Sequence, residues 1–221
     1  MNSRRLFAAT AAAAMLGSAL IGAAPANASA GADTGASASY NGAKTVHTHA
    51  KLRQLNKSGV SGKAHVTVKG NKLNVTMDAS GLLRKAPHAV HIHYGEQARN
   101  ECPTLRDDTN KDRRLTTLEG VPAYGPVAVS LTTKGDTSPA SALAIDRFKT
   151  APKGKIHYHR HDIRTDKSVA QGIRDGDAVV VVHGVDHNHN GVYDFSAGKS
   201  DLDPKLPAEA TNPAACGVLR R

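Results

Sequence analysis

Residues 88–93 read His-Ala-Val-His-Ile-His and place three of the chain's twelve histidines within six positions. On a β-strand, residues two apart project from the same face. His91 and His93 would then point together, their bases about 6–7 Å apart. Two imidazoles at that spacing can converge on one cation with bonds of about 2 Å, and imidazole is a ligand that copper and zinc favour. One H-x-H pair is equally well explained by two exposed strand histidines, so the weight falls on what accompanies it. His183 ends the apolar run Val-Val-Val-Val-His, where a buried strand emerges at a sheet edge, and is positioned to be a third ligand. His88, three residues before His91, is placed to hold a backbone carbonyl beside such a site.

Other clusters offer ligands as well. His157, His159 and His161 share one strand face in Lys-Ile-His-Tyr-His-Arg-His, where they could supply a fourth ligand, a separate metal site or a solvent-facing polar stripe. His47 and His49 form another same-face pair, more simply read as solvent-facing. His187 and His189 follow His183 closely and could add nitrogen ligands, with Asp186 orienting one of them. A different chemistry is suggested by Asp186, Asn188, Asn190, Gly191 and Asp194, which follow D-x-N-x-N-G-x-x-D, the first half of a calcium loop. Its twelfth position holds Ala197 instead of the closing glutamate. Residues 108–119 carry D-x-N-x-D and end on Glu119, but Arg113 stands where the loop needs glycine.

The elements that must position these groups read as strands. Residues 44–52 alternate, and residues 62–82 form two short strands joined at Lys69-Gly70-Asn71-Lys72. Residues 88–94, 124–133, 155–161 and 177–185 complete at least seven, of which Ala178–Val182 is apolar on both faces and belongs at the centre. One short helix is expected over 166–176, ended by a glycine. Cys102 to Pro126 is polar, charged and poor in strand formers, hence a large loop. Many short strands with Gly, Asn and Asp turns imply an all-β antiparallel sandwich or barrel.

Residues 1–30 have a basic start at Arg4 and Arg5, an apolar stretch and small-residue cleavage sites around Ala28 and Ala30, the pattern of a secretory signal peptide. Ser3–Phe7 also resembles a twin-arginine export signal. Residues 31–42 are small and polar, a flexible linker. Residues 43–221 then form one domain large enough for a core, and no second stretch is long enough to span a bilayer. Losing Arg4 and Arg5 lowers the formal charge from +10 to +8. The remaining basic residues are scattered and the chain is nearly free of aromatics, which argues against nucleic acid and for a solvated cationic surface. Two cysteines in an exported chain most simply pair, Cys102 with Cys216, closing a loop worth about 4–5 kcal/mol in the chain-entropy model. No nucleophile elbow, phosphate loop or dinucleotide fingerprint is present.

Three separated stretches, residues 81–102, Ala178–Asp186 and Ala214–Leu219, resemble the copper/zinc superoxide dismutases. The family pattern is H-x-x-H-x-H on a strand, a cysteine nine residues after the last histidine, a later V-V-H strand end, and a terminal A-C-G-V-I/L. The resemblance implies a Greek-key β-barrel with long loops and one disulfide, with copper held by His91, His93 and His183. It casts His88 as a structural histidine and superoxide, or another small anion, as the partner. The chain also departs from that pattern. Residues 103–114 contain no histidine where the family has its bridging and zinc ligands, and Pro213 stands where the family has an anion-guiding arginine. Zinc therefore has no evident ligand set, and Arg99, Arg106, Arg113 or Arg114 would have to replace the guide. Residues 89–95 and 123–131 also resemble extracellular chordin-type domains, which implies a binding or structural module. Secreted copper chemistry is the expected function, with copper binding without turnover and a purely structural sandwich as the alternatives.

Overall fold

The computed structural model describes residues 44–221, which belong to one compact unit. The signal peptide and linker assigned to residues 1–30 and 31–42 lie outside the described residues. The described residues open with three long strands, β1 (Thr45–Gln54), β2 (Ser61–Lys69) and β3 (Lys72–Ser80). Their sequences alternate, and the burial follows. Ala50, Leu52, Ala64, Val66, Val68, Leu73, Val75, Met77 and Ala79 point to the core while polar partners face water. β2 and β3 meet at the expected turn. Lys69 pairs with Lys72, and Gly70 supplies the positive φ of 60° that a two-residue hairpin needs.

Next come the short β4 (Pro87–His88), β5 (Val90–His93), helix α1 (Thr117–Tyr124) and β6 (Val127–Ser130). They are followed by β7 (Lys149–Thr150), which pairs with β4, then β8 (Lys155–Arg164) and helix α2 (Lys167–Asp175). The chain closes with β9 (Val179–His183), the single turn α3 (Ala208–Thr211) and β10 (Pro213–Val218). The main sheet has eight antiparallel strands in the order β6-β5-β9-β10-β1-β2-β3-β8. The pairings of β3 with β8 and of β5 with β9 are Greek-key crossovers. β1 joins the two halves: it pairs with β2 from Thr45 to Leu52, and its end, Arg53 and Gln54, pairs with Cys216 and Ala215 of β10. The sheet thereby curls into an all-β half-barrel around one core. Of its outermost strands, β8 is tied by side chains to the segment that follows β6, since Tyr158 Oη (3.1 Å) and Arg160 Nη1 (2.8 Å) both donate to the Thr132 carbonyl.

β9 is buried on both faces, as its composition predicted. Val180 and Val182 enter the main core, while Val179 and Val181 face outward into a second cluster with Tyr124 and Cys216. α2 forms where expected and stops at Gly176, in the left-handed region at φ 87°. The stretch from Cys102 to Pro126 is not all loop. Thr116 and Glu119 form a reciprocal capping box that starts α1, a signal outweighed in the sequence by the charged residues around it.

The disulfide Cys102–Cys216 links residues 114 apart, Cα to Cα 5.7 Å, and pins the covering segment onto β10. Replacing both cysteines by alanine is expected to lower the unfolding free energy by about 3–5 kcal/mol, read from urea unfolding midpoints. A change below about 1 kcal/mol would mean that α1 and its neighbours hold this segment unaided.

Candidate metal centre

The register of β5 and β9 decides where the histidines go. His91 pairs opposite Val181 and His93 opposite Val179, so both side chains share the outward face of those valines, while Val90 and Ile92 turn to the core. His183 lies two residues beyond Val181 on the same face, its N–H donating to the Ala89 carbonyl at 2.8 Å. This outward face is roofed by α1 and by the segments before β7 and β10. All three rings are consequently buried, at 3%, 1% and 2% exposure. Their centroids lie 4.9 Å apart for His91 and His183, 5.7 Å for His91 and His93, and 6.0 Å for His93 and His183.

Each ring has one nitrogen against a backbone carbonyl, which can only accept, so that nitrogen carries the proton. His91 Nε2 donates to Ala142 O (3.1 Å), His93 Nδ1 to Gly125 O (2.8 Å) and His183 Nδ1 to Thr211 O (2.6 Å). The opposite nitrogens, His91 Nδ1, His93 Nε2 and His183 Nε2, are left as lone pairs that are buried and without a hydrogen-bond partner. One ligand atom from each of the three rings lies within 4.8 Å of the others. Orphaned buried acceptors cost about 1–3 kcal/mol each, and a cation shared among them removes that cost. Burial keeps the rings uncharged. It pushes His93 down to about 3 and His183 to about 4, and holds His91 well below the ordinary histidine range, with the neighbouring imidazoles adding to the effect on His91 and His93.

The surroundings fix these rings further. Tyr124 packs on His93 at 4.4 Å and donates to Thr117 O, and Phe148 meets His91 edge-on at 5.5 Å. His88 is buried between two carbonyls, Nδ1 3.0 Å from His183 O and Nε2 3.1 Å from Leu83 O, with Tyr193 Oη 3.1 Å from Nδ1. It thus holds the backbone of His183, the supporting position its spacing suggested. The next residue must be glycine. Gly184 sits at φ 107°, and a Cβ there would lie 2.0 Å from Tyr193 Oη. A cavity of about 40 Å³ opens onto His91 and His183, room for a water-sized ligand. Its walls include Val127, Ala142, Leu143, Ile145, Leu202 and Leu206, and among the described residues no Lys or Arg lines it.

The remaining expected ligands are not brought to this centre. His157, His159 and His161 face solvent, because Ile156, Tyr158 and Ile163 take the core side of β8. His187 is half-buried and its Nε2 accepts from the Asn212 amide at 3.1 Å, while His189 is exposed. In the 186–194 loop the Asp186 carboxylate accepts from the backbone N–H of Asn190 and Gly191, and Asp194 accepts from the Asn188 and Asn190 amides. These are the turn contacts that the D-x-N-x-N-G spacing makes. Buried Glu209 anchors the loop by accepting from the N–H groups of His187 and Asp194. In the 108–119 segment, Glu119 is engaged at the α1 cap and by Thr109 and Asn110. Arg99 is paired with Glu101 and Asp107, Arg114 with Asp112, and neither these nor Arg106 and Arg113 reach the cavity. The carbonyls of Gly125, Ala142 and Thr211 carry no side-chain signature and were invisible in the sequence. Only the Tyr124-Gly125 step, with Gly125 at φ 84°, carried a local signal.

No protein-family model matches the sequence, and comparison with curated proteins finds no match. No described helix is long and apolar enough to cross a membrane.

The three depressed histidines make the metal-free protein acid-sensitive. Below about pH 6.5 the unfolded chain protonates its histidines, whereas the folded rings stay neutral until about pH 4 for His183 and about 3 for His93. The unfolded state then binds more protons, so stability falls as the pH is lowered across that window. Thermal unfolding of metal-free protein at pH 7 and 4.5 should show a lower midpoint at 4.5. An unchanged midpoint would mean the rings are not held neutral.

Proposed function

We propose that this is a secreted copper-binding protein related in architecture to the copper/zinc superoxide dismutases, holding one copper ion through His91, His93 and His183 and no zinc. The observation that carries the reading is the set of three buried imidazoles that offer ligand atoms within 4.8 Å of one another, each with one nitrogen unpartnered and the other held by a backbone carbonyl. Neutral nitrogen donors favour copper over the other divalent first-row ions, and a small, mostly apolar cavity opens onto His91 and His183. Because burial already holds the rings neutral, protons compete little for the lone pairs above about pH 5. Bound copper would supply one-electron chemistry. The chain's own contribution is to fix the ring orientations, exclude bulk water with Tyr124 and Phe148, and restrict entry to small ligands. The disulfide fits an oxidising compartment, in keeping with the export signal read from residues 1–30.

Superoxide dismutation is the second reading, favoured by the H-x-x-H-x-H spacing with His183 and the Greek-key order. Against fast turnover stands the cavity itself, whose lining offers no cation to draw in an anion, with Pro213 buried in β10. Copper held without fast turnover therefore fits the site better than a guided dismutase. A chordin-type structural module explains neither the convergent lone pairs nor the disulfide.

Copper titration of metal-free protein should give about one tightly held ion per chain, with nitrogen hyperfine structure in its paramagnetic resonance spectrum. His93→Asn or His183→Asn should weaken that binding by at least about a hundredfold while leaving the circular dichroism spectrum unchanged. Superoxide turnover should be slow and nearly independent of ionic strength. A fast, salt-sensitive rate would restore the dismutase reading, and absence of tight copper would remove both.

A further inference from the structure

Half of the chain's histidines lie far from the buried centre and share a different surface. His47 and His49 on β1, His65 on β2, and His157, His159 and His161 on β8 are all exposed, on the solvent side of the β1-β2-β3-β8 layer. The register assembles what the sequence scatters. His49 stands directly opposite His65, and their rings lie 6.5 Å apart. Thr76, the next residue across, stands opposite His159. At the bulge where β8 slips against β3, His159 and His161 approach to 4.1 Å between centroids. Two of the six rings already have partners: His157 pairs with Asp78 at 2.7 Å and His47 with Thr67 at 3.1 Å. His49 with His65 and His159 with His161 are left as two ring pairs with no side-chain hydrogen bond among the described residues.

Directly opposed strand residues have bases about 4.5–5.5 Å apart, and two imidazoles at that distance can close on one metal ion with small rotamer changes, solvent completing the coordination. The geometry points to a second metal-binding surface, in which His49 with His65 and His159 with His161 each chelate a divalent transition ion from solution. Copper(II) is the ion such nitrogen pairs take most strongly in the first-row series. Lys51 and Lys63 occupy the next rung of the same face, and their charge keeps the neighbouring pair weak and exchangeable. The surface is separate from the buried histidines, which sit on β5 and β9 and point into the covered outer face of the other half of the sheet. It does not depend on that centre being occupied.

The test is a titration of the full chain with copper(II) chloride in a non-coordinating buffer, followed by calorimetry and paramagnetic resonance. The wild type should show a weaker class of about two ions per chain with few-nitrogen spectra. His49→Gln with His65→Gln should remove about half of that class and His159→Gln with His161→Gln the rest, and the fourfold variant should lose retention on immobilised nickel. Changing one ring of a pair should weaken that pair by on the order of a hundredfold, since the second ring binds intramolecularly. All four positions are exposed, and unchanged circular dichroism confirms the fold. A wild type without the weaker class, or a fourfold variant that keeps it, overturns the proposal. The tight class reports on the buried centre alone: its absence beside a variant-sensitive weak class would sink the buried reading and leave this one standing.

Discussion

Three hydrogen bonds govern this molecule, from imidazole N–H groups to the carbonyls of Ala142, Gly125 and Thr211. Each sets one tautomer and one ring rotation, and together they leave three buried lone pairs without a partner. The three carbonyls belong to three separate segments, none of them a sheet strand. Gly125 follows α1, Ala142 lies in the connection between β6 and β7, and Thr211 ends α3. A geometry that needs all three at once makes the placement of each covering segment a condition of the site. The capping box of α1, the disulfide at Cys102, and the Glu209 carboxylate that ties the 186–194 loop to α3 each meet part of that condition.

The same arrangement opposes stability. Three buried nitrogens without donors cost several kcal/mol together at about 1–3 kcal/mol each, a large fraction of the 5–15 kcal/mol typical of a folded domain. The sheet can carry this because its core is continuous. β9 alone buries four valines completely, each worth about 1.5–3 kcal/mol relative to exposure. Those valines serve the histidines in a second way, since their alternation between two clusters sends His183 to the covered face and not to the core. Buried polar satisfaction is broken at the three imidazoles, as expected of a functional site.

What was legible in the sequence follows from side-chain periodicity. Alternation in residues 45–80 reports which face of each strand meets the core, and Gly70-Asn71 reports where the chain reverses. His91, His93 and His183 could be grouped because a period of two and a strand end are both visible in one dimension. The helix α1 escaped notice because its signal, Thr116 with Glu119, is two residues long and sits among Asp, Arg and Lys that read as loop. Backbone carbonyls cannot be read from residue types at all. Glu119 and Asp186 were ambiguous for a related reason: a carboxylate that accepts N–H groups in a turn and one that coordinates a cation use the same spacing.

The two histidine faces sharpen the point. On β5 the residues that alternate with the histidines, Val90 and Ile92, take the core, and on β8 Ile156 and Tyr158 do the same. Both H-x-H pairs therefore point away from the barrel interior, and strand periodicity alone cannot tell them apart. The difference lies in the connections. β2 and β3 are joined by two residues, which can cover nothing, whereas long segments run from β5 to α1, from β6 to β7 and from β9 to α3 and fold back over the outward face of β5 and β9. Cover removes water, lowers the proton affinity of the rings and supplies carbonyls to orient them. The uncovered rings of the other layer stay hydrated, adjustable and open to exchange. Whether a histidine pair is buried with its tautomers fixed by carbonyls or left open to solvent is thus decided by the loops around the strand and not by the strand that carries it.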